Sequence, residues 1–142
     1  MRFVHANIRV RDADASLAFY RALGFEVRGR LQFEGAYNLY LGLPGDGDTL
    51  ELTVNRDREQ AYDLGDGYNH LALIVDDLDS LLESLETKGI QPERPPYSPG
   101  GREDVGRICF VRDPDGYRIE LIDHDFPTPQ DPGDGGEVRT AT

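Results

Sequence analysis

The chain has 142 residues, 38% hydrophobic and 30% charged, with 15 basic against 27 acidic side chains and a formal net charge of −12. That length suits one compact domain or two small fused modules, and no apolar run approaches the roughly 20 residues of a membrane-spanning helix. The acidic balance argues against nucleic acid or an anionic membrane as partner, because phosphate neutralisation takes a basic surface, while small anionic substrates held by local arginines remain possible.

The opening MRFVHANIRVRD lacks the continuous apolar stretch of a secretory signal. From Phe3 to Val10 it alternates: Val4, Ala6, Ile8 and Val10 on one phase, Phe3, His5, Asn7 and Arg9 on the other. This is the period of a half-buried strand. Asp12 or Asp14 caps a helix whose apolar face is Leu17, Phe19, Tyr20 and Leu23, and Gly24 stops it. Strands follow at 25–31, 36–43 and 49–55, the last two joined by the turn signal of Pro44 and Gly45-Asp46-Gly47. The first unit reads βαβββ.

The second unit repeats that order. A strand at 68–75 leads to a helix from about Leu78 to Lys88, capped by Asp76 or Asp77 and stopped by Gly89. A short strand is expected at 90–94, then strands 107–112 and 117–122 as a hairpin around Asp113-Pro114-Asp115-Gly116. The Pro- and Gly-rich segment 95–106 reads as a mobile loop, and 125–142 as a disordered tail with almost nothing to bury. The units are set at 1–60 and 61–124. The single cysteine, Cys109, permits no intrachain disulfide, fits a reducing compartment such as the cytoplasm, and reads as a small buried apolar residue.

The halves also match residue by residue. At an offset of 65, His5 falls on His70, Val10 on Val75, Asp12 on Asp77, Leu17 on Leu82 and Gly24 on Gly89. At an offset of 69, Leu39 falls on Ile108, Leu41 on Phe110 and Glu51-Leu52 on Glu120-Leu121. His5, Glu51, His70 and Glu120 each lie on the less apolar phase of a strand. If the helices cover the aliphatic phases, all four share the opposite face, where an inward-curving sheet would gather them. Two buried carboxylates are costly near one another unless a cation neutralises them. A divalent metal does so, and imidazole with carboxylate suits nickel, cobalt, zinc, manganese or iron. Singly, each residue is more often an ordinary polar side chain; the recurrence of the pair sets them apart. His124 shares Glu120's phase but has no histidine counterpart in the first half, and is set aside. The fold expected is α+β, two tandem βαβββ modules forming a curved mixed sheet around a metal cleft.

The motifs HANIRVRD…FYRALGFEV, ELTVN, NHLALIVDD and DPDGYRIELID resemble the glyoxalase I family, of the short bacterial type within the vicinal-oxygen-chelate superfamily, over residues 1 to about 123. The resemblance implies paired βαβββ modules and a homodimer with sites at the interface, two ligands coming from each chain. It makes His5, Glu51, His70 and Glu120 the metal ligands, with nickel or cobalt favoured and zinc possible. It assigns Glu120 as the base, Glu51 as its counterpart, and Arg9 and Asn55 as contacts for the glutamyl end of glutathione. The reaction implied is isomerisation of the methylglyoxal–thiol hemithioacetal to the S-lactoyl thioester, a detoxification of methylglyoxal.

The chain departs from the family at Arg56 after ELTVN, Asp66 and Asn69 before the second histidine, and Pro99 before Gly100-Gly101, with Arg102 as a substitute cation. These changes leave the metal set intact and open the choice of thiol. Rival readings are a non-catalytic drug-binding protein like the bleomycin-resistance proteins and another enzyme of the superfamily, such as a carbon-acid epimerase.

Overall fold

The computed structural model describes residues 1–131. The opening alternation becomes β1 (Ala6–Val10), with Ile8 and Val10 buried and Asn7 and Arg9 exposed. Asp12 caps α1 (Ala13–Ala22) by accepting from the Ala15 N–H at 3.1 Å, which satisfies a free amide of the first turn. Gly24 follows at φ +104°, a backbone state that a Cβ resists. Then come β2 (Glu26–Phe33), β3 (Ala36–Gly42) and β4 (Leu50–Asn55). β4 runs parallel to β1 and antiparallel to β3, so the sheet order is β1-β4-β3-β2.

The second half builds β5 (Leu71–Val75), α2 (Leu78–Glu86), β6 (Ile108–Arg112) and β7 (Arg118–Asp123). Asp77 caps α2 through the Ser80 N–H at 3.1 Å, and Gly89 takes φ +76° beyond its end. β7 is parallel to β5 and antiparallel to β6, giving a second, separate sheet in the order β5-β7-β6. The result is an α+β fold of two mixed sheets.

Several expectations shift in detail. β1 and β5 begin at Ala6 and Leu71, so His5 and His70 stand just before their ladders. Residues 90–94 form no ladder, because Pro92, Pro95 and Pro96 remove the amide hydrogens one would need. The segment still follows the edge of β6: the Glu93 N–H donates to the Phe110 carbonyl at 2.8 Å, and Tyr97 and Ile108 exchange bonds of 2.9 and 2.8 Å. It holds the place that β2 holds in the first half. The loop at 95–106 carries two 3₁₀ turns, Pro99–Gly101 and Glu103–Val105, and buries Val105. Residues 125–131 of the expected tail carry no helix or strand, and 132–142 lie outside the described residues.

One continuous core joins the halves, running from Ile8, Val10, Phe19 and Tyr20 through Leu50 and Leu52 to Leu78, Leu85, Ile119 and Leu121. Polar contacts reinforce it: the Arg11 N–H donates to Asp115 at 3.0 Å, and the Tyr117 hydroxyl to the Arg9 carbonyl at 2.9 Å. Cys109 is fully buried, and burial pushes its thiol up to about 11, which fits packing rather than nucleophilic chemistry. Among the described residues no helix is long and apolar enough to cross a membrane.

Candidate metal centre

Strand phase carries the two candidate glutamates as expected. In β4, Leu50, Leu52 and Val54 face the core and Glu51, Thr53 and Asn55 face away; in β7, Ile119 and Leu121 face the core and Glu120 faces away. Parallel pairing then brings each histidine beside its glutamate. The His5 Nε2 lies 3.3 Å from Glu51 Oε1, and the His70 Nε2 lies 3.8 Å from Glu120 Oε1.

The pairs stay apart within one chain. Among the described residues, no three His, Cys, Asp or Glu side chains gather in a group that could hold a metal ion. The four candidates thus fall in two His–Glu pairs, one on each sheet, rather than in one group. His124 is exposed and turns to Asp123, its Nδ1 3.7 Å from the carboxylate, away from Glu120.

The donor chemistry of each half-site fits a divalent ion. Two ligands each about 2.0–2.2 Å from one ion stand about 2.8–3.6 Å apart at right-angle to tetrahedral geometry. The His5–Glu51 spacing meets that, and the His70–Glu120 spacing needs only a small closure. With Asn69 Oδ1 accepting from the His70 Nδ1–H at 2.5 Å, the lone pair of that ring lies on Nε2, the atom facing Glu120. Burial alone would raise the Glu51 carboxyl; donation by Tyr40, Asn7 and Asn38, with His5 beside it, holds it below the usual carboxylate range. Its ionised form is the one that ligates.

The other expected contacts divide. Arg9 is exposed on the His5 face, and its guanidinium makes no hydrogen bond or ion pair with another described residue. Asn55, two residues beyond Thr53 on the Glu51 face, donates to the Tyr62 hydroxyl at 2.9 Å. Arg102, weighed as a substitute cation, is engaged by Asp104 and Asp131 and is not free to play that part. Arg56 lies over the Tyr37 ring at 4.9 Å and donates to Gln32 at 3.3 Å.

Sequence reasoning missed the surroundings of Glu51. Asn7 donates to Glu51 Oε1 at 2.7 Å and Asn38 to Oε2 at 3.2 Å. Their signal, polar residues on the outward phases of β1 and β3, was visible, but their meeting depends on register. Register also corrects the repeat. Glu51 pairs with Tyr40 and Glu120 with Phe110, so Tyr40, not Leu41, matches Phe110. The offset of 69 slips this strand by one residue, which exchanges its faces.

The fold defines a class: an α+β protein of two mixed sheets, with a His–Glu pair beside each. The chain belongs to the Glyoxalase/Bleomycin resistance protein/Dioxygenase superfamily, whose profile matches residues 2–121. It is a lactoylglutathione lyase-like enzyme. The lactoylglutathione lyase of Neisseria meningitidis serogroup A is 39% identical over 129 residues, covering 86% of this chain and 90% of the relative. Glyoxalase I from Zea mays, solved as an E144Q mutant, superposes with a TM-score of 0.77 at 34% identity over 90% of this chain; the chain spans 47% of the maize protein. The trypanothione-dependent glyoxalase I of Leishmania major gives a TM-score of 0.71 at 29% identity, covering 87% of each chain.

Proposed function

We propose that the chain isomerises the hemithioacetal of methylglyoxal and a thiol to the S-lactoyl thioester, at a composite site formed by His5 and Glu51 of one chain and His70 and Glu120 of a second. The modules at 1–60 and 61–124 each supply one half. The observation that carries this reading is the pair of His–Glu half-sites that one chain keeps apart. Each has two donors, too few to hold a catalytic ion tightly, and a homodimer completes two sets of four. Apolar side chains exposed on the half-site faces support a covering second copy: Leu31 and Phe33 beside the Asn38–Glu51 region, and Ile74 on the His70 face.

A bound nickel, cobalt or zinc ion would act as Lewis acid toward the substrate's two adjacent oxygens. Glu120 takes the proton from the hemithioacetal carbon and returns it to the neighbouring carbon, while the hydroxyl proton passes from the first oxygen to the second, so no atom or electron is gained or lost. Arg9, whose guanidinium has no partner among the described residues, offers its fork to a carboxylate of the thiol, and Asn55 its carbonyl oxygen. The thiol is glutathione or a related compound, consistent with relatives named for lactoylglutathione and for trypanothione. A cytoplasmic setting agrees with the reduced, buried Cys109.

The test is formation of S-lactoyl thioester from preformed hemithioacetal by protein loaded with nickel, cobalt or zinc, run with glutathione and with other low-molecular-weight thiols. Turnover with at least one metal–thiol pair is expected. Absence of turnover with every pair would remove this activity.

A further inference from the structure

The two candidate carboxylates occupy equivalent positions in their sheets yet have opposite surroundings. Asn7 and Tyr40 flank Glu51, and Thr53, two residues along β4, has Asn38 opposite it. At the same places around Glu120 stand Ala72 and Phe110, then Ile122 with Ile108 opposite. Every polar neighbour in the first module has an apolar or aromatic counterpart in the second. Ile108, Phe110 and Ile122 pack into a small separate cluster with Tyr97, and no hydrogen-bond donor from another described residue reaches Glu120.

The polar set closes a ring. The Asn7 amide donates one hydrogen to Glu51 Oε1 and the other to Thr53 Oγ1, both at 2.7 Å. The Thr53 hydroxyl, its acceptor side taken, donates to Asn38 Oδ1 at 2.8 Å. The Asn38 amide then donates to Glu51 Oε2 at 3.2 Å. The proton directions run consistently round the ring because the carboxylate only accepts. Both oxygens of Glu51 are thereby held, and with Tyr40 as a third donor the carboxylate keeps one lone pair for a cation. Fixing a glutamate's rotamers in advance removes an entropy loss that ligation would otherwise carry.

We propose that Asn7, Thr53 and Asn38 are positioning residues that set the Glu51 carboxylate toward His5 before a metal arrives. The His5–Glu51 half is then a preformed docking point, and Glu120 is the carboxylate left free to move. The inference rests on the reading of His5 and Glu51 as ligands.

Cobalt(II) titration of the full chain, against a competing chelator and followed by the visible absorption of the bound ion, tests it. Thr53→Val removes both ring bonds through the hydroxyl without touching Glu51, and cobalt should bind about five- to tenfold more weakly, as for loss of one to two hydrogen bonds. Thr53→Ser should restore wild-type affinity. In a Glu51→Ala background, Thr53→Val should cause no further loss, because the ring has nothing left to hold. Asn38→Leu provides a second measurement should Thr53→Val fail to fold. Unchanged affinity in both folded variants overturns the proposal, as does an equal loss with and without Glu51, which would mark strand packing alone. A wild-type chain that binds no cobalt overturns the ligand reading together with this one. A wild-type chain that binds it while the ring variants match it overturns only the ring.

Discussion

The hydroxyl of Tyr20, on α1 of the first half, donates to Asp113 at the β6–β7 turn of the second, at 2.7 Å and out of water. Asp113 also accepts from the Asp115 and Tyr117 amides at 2.9 and 2.8 Å. Burial pushes its carboxyl above the usual range even so, and burial with the Asp113 charge drives the Tyr20 phenol far upward. Among the described residues the two sheets share no ladder, so this buried contact, the Arg11–Asp115 and Tyr117–Arg9 bonds and the continuous core set one half against the other.

Tyr20→Phe leaves a buried carboxylate oxygen without its side-chain donor and keeps the ring packing. A stability loss of about 1–3 kcal/mol is expected, the penalty of an unsatisfied buried acceptor. Urea unfolding followed by circular dichroism and by fluorescence measures it. The transition should stay single, because one core spans both halves. Two separated transitions would mean that the halves unfold independently.

Asp123 provides the pH-dependent counterpart. It accepts from the Leu78 N–H at the start of α2 at 3.0 Å and from Arg107 at 3.0 Å, and these bonds hold its carboxyl below the usual range against the opposing effect of burial. A depressed carboxyl contributes stability above its unfolded value, near 3.9, and loses it as pH falls through the lower folded value. Asp123→Asn keeps an acceptor for the Leu78 N–H but loses the charge paired with Arg107, and should therefore be less stable at neutral pH by about 0.5–1 kcal/mol, as for a partly exposed ion pair. The gap to wild type should close below about pH 4. Denaturation midpoints across that range check it, and a gap that widens in acid would contradict the assignment.

Much of this was legible along the chain because it depends on local periodicity. Two-residue alternation placed Glu51 and Glu120 outward from Leu52 and Leu121, and Asp12, Asp77, Gly24 and Gly89 bounded the helices by capping and φ. What was not legible depends on pairing between distant strands. Nothing near Asn7 says that it lies opposite Glu51, 44 residues on, or that Asn38 faces Thr53. The same gap let Leu41 be matched to Phe110, since leucine and phenylalanine look alike as strand residues on either face. Phase tells which way a side chain points, not whether two sheets meet; that the two His–Glu pairs come from different chains was an implication of the family resemblance alone.

Metal should be held through both histidines. His5→Ala and His70→Ala each remove a neutral imidazole from a four-donor set, and elemental analysis of purified protein should show metal content well below wild type in both. Full occupancy in both variants would dismiss the His–Glu pairs as ligands.

A site built from two chains predicts complementation. Glu51→Gln and Glu120→Gln homodimers should each be inactive. A mixed dimer brings together the intact Glu51 of one chain and the intact Glu120 of the other, giving one working site. Mixing under conditions where subunit exchange is demonstrated should restore activity. Exchange without recovery would place both residues in the same single-chain site.

On the proposed reading, Arg9 holds the carboxylate of the thiol. It lies on the His5 face of β1, four residues from His5, exposed and unengaged by other described side chains. Its planar fork matches a carboxylate, and a hydrogen bond to a charged group contributes about 1.5–3 kcal/mol, or roughly ten- to a hundredfold in binding. Arg9→Ala should raise KM for the hemithioacetal by that factor and leave bound metal unchanged, since it removes no ligand. Some fall in kcat is compatible, because binding energy far from the reacting carbons also serves the transition state. With Asp66 and Pro99 at two places where a basic group would help, and Arg102 engaged by Asp104 and Asp131, Arg9 is expected to carry most of this recognition. Glutathione should consequently bind more weakly than a thiol better matched to this reduced set of cations. Steady-state kinetics with the best thiol found provide the check, and a wild-type KM in Arg9→Ala would remove Arg9 from the substrate site.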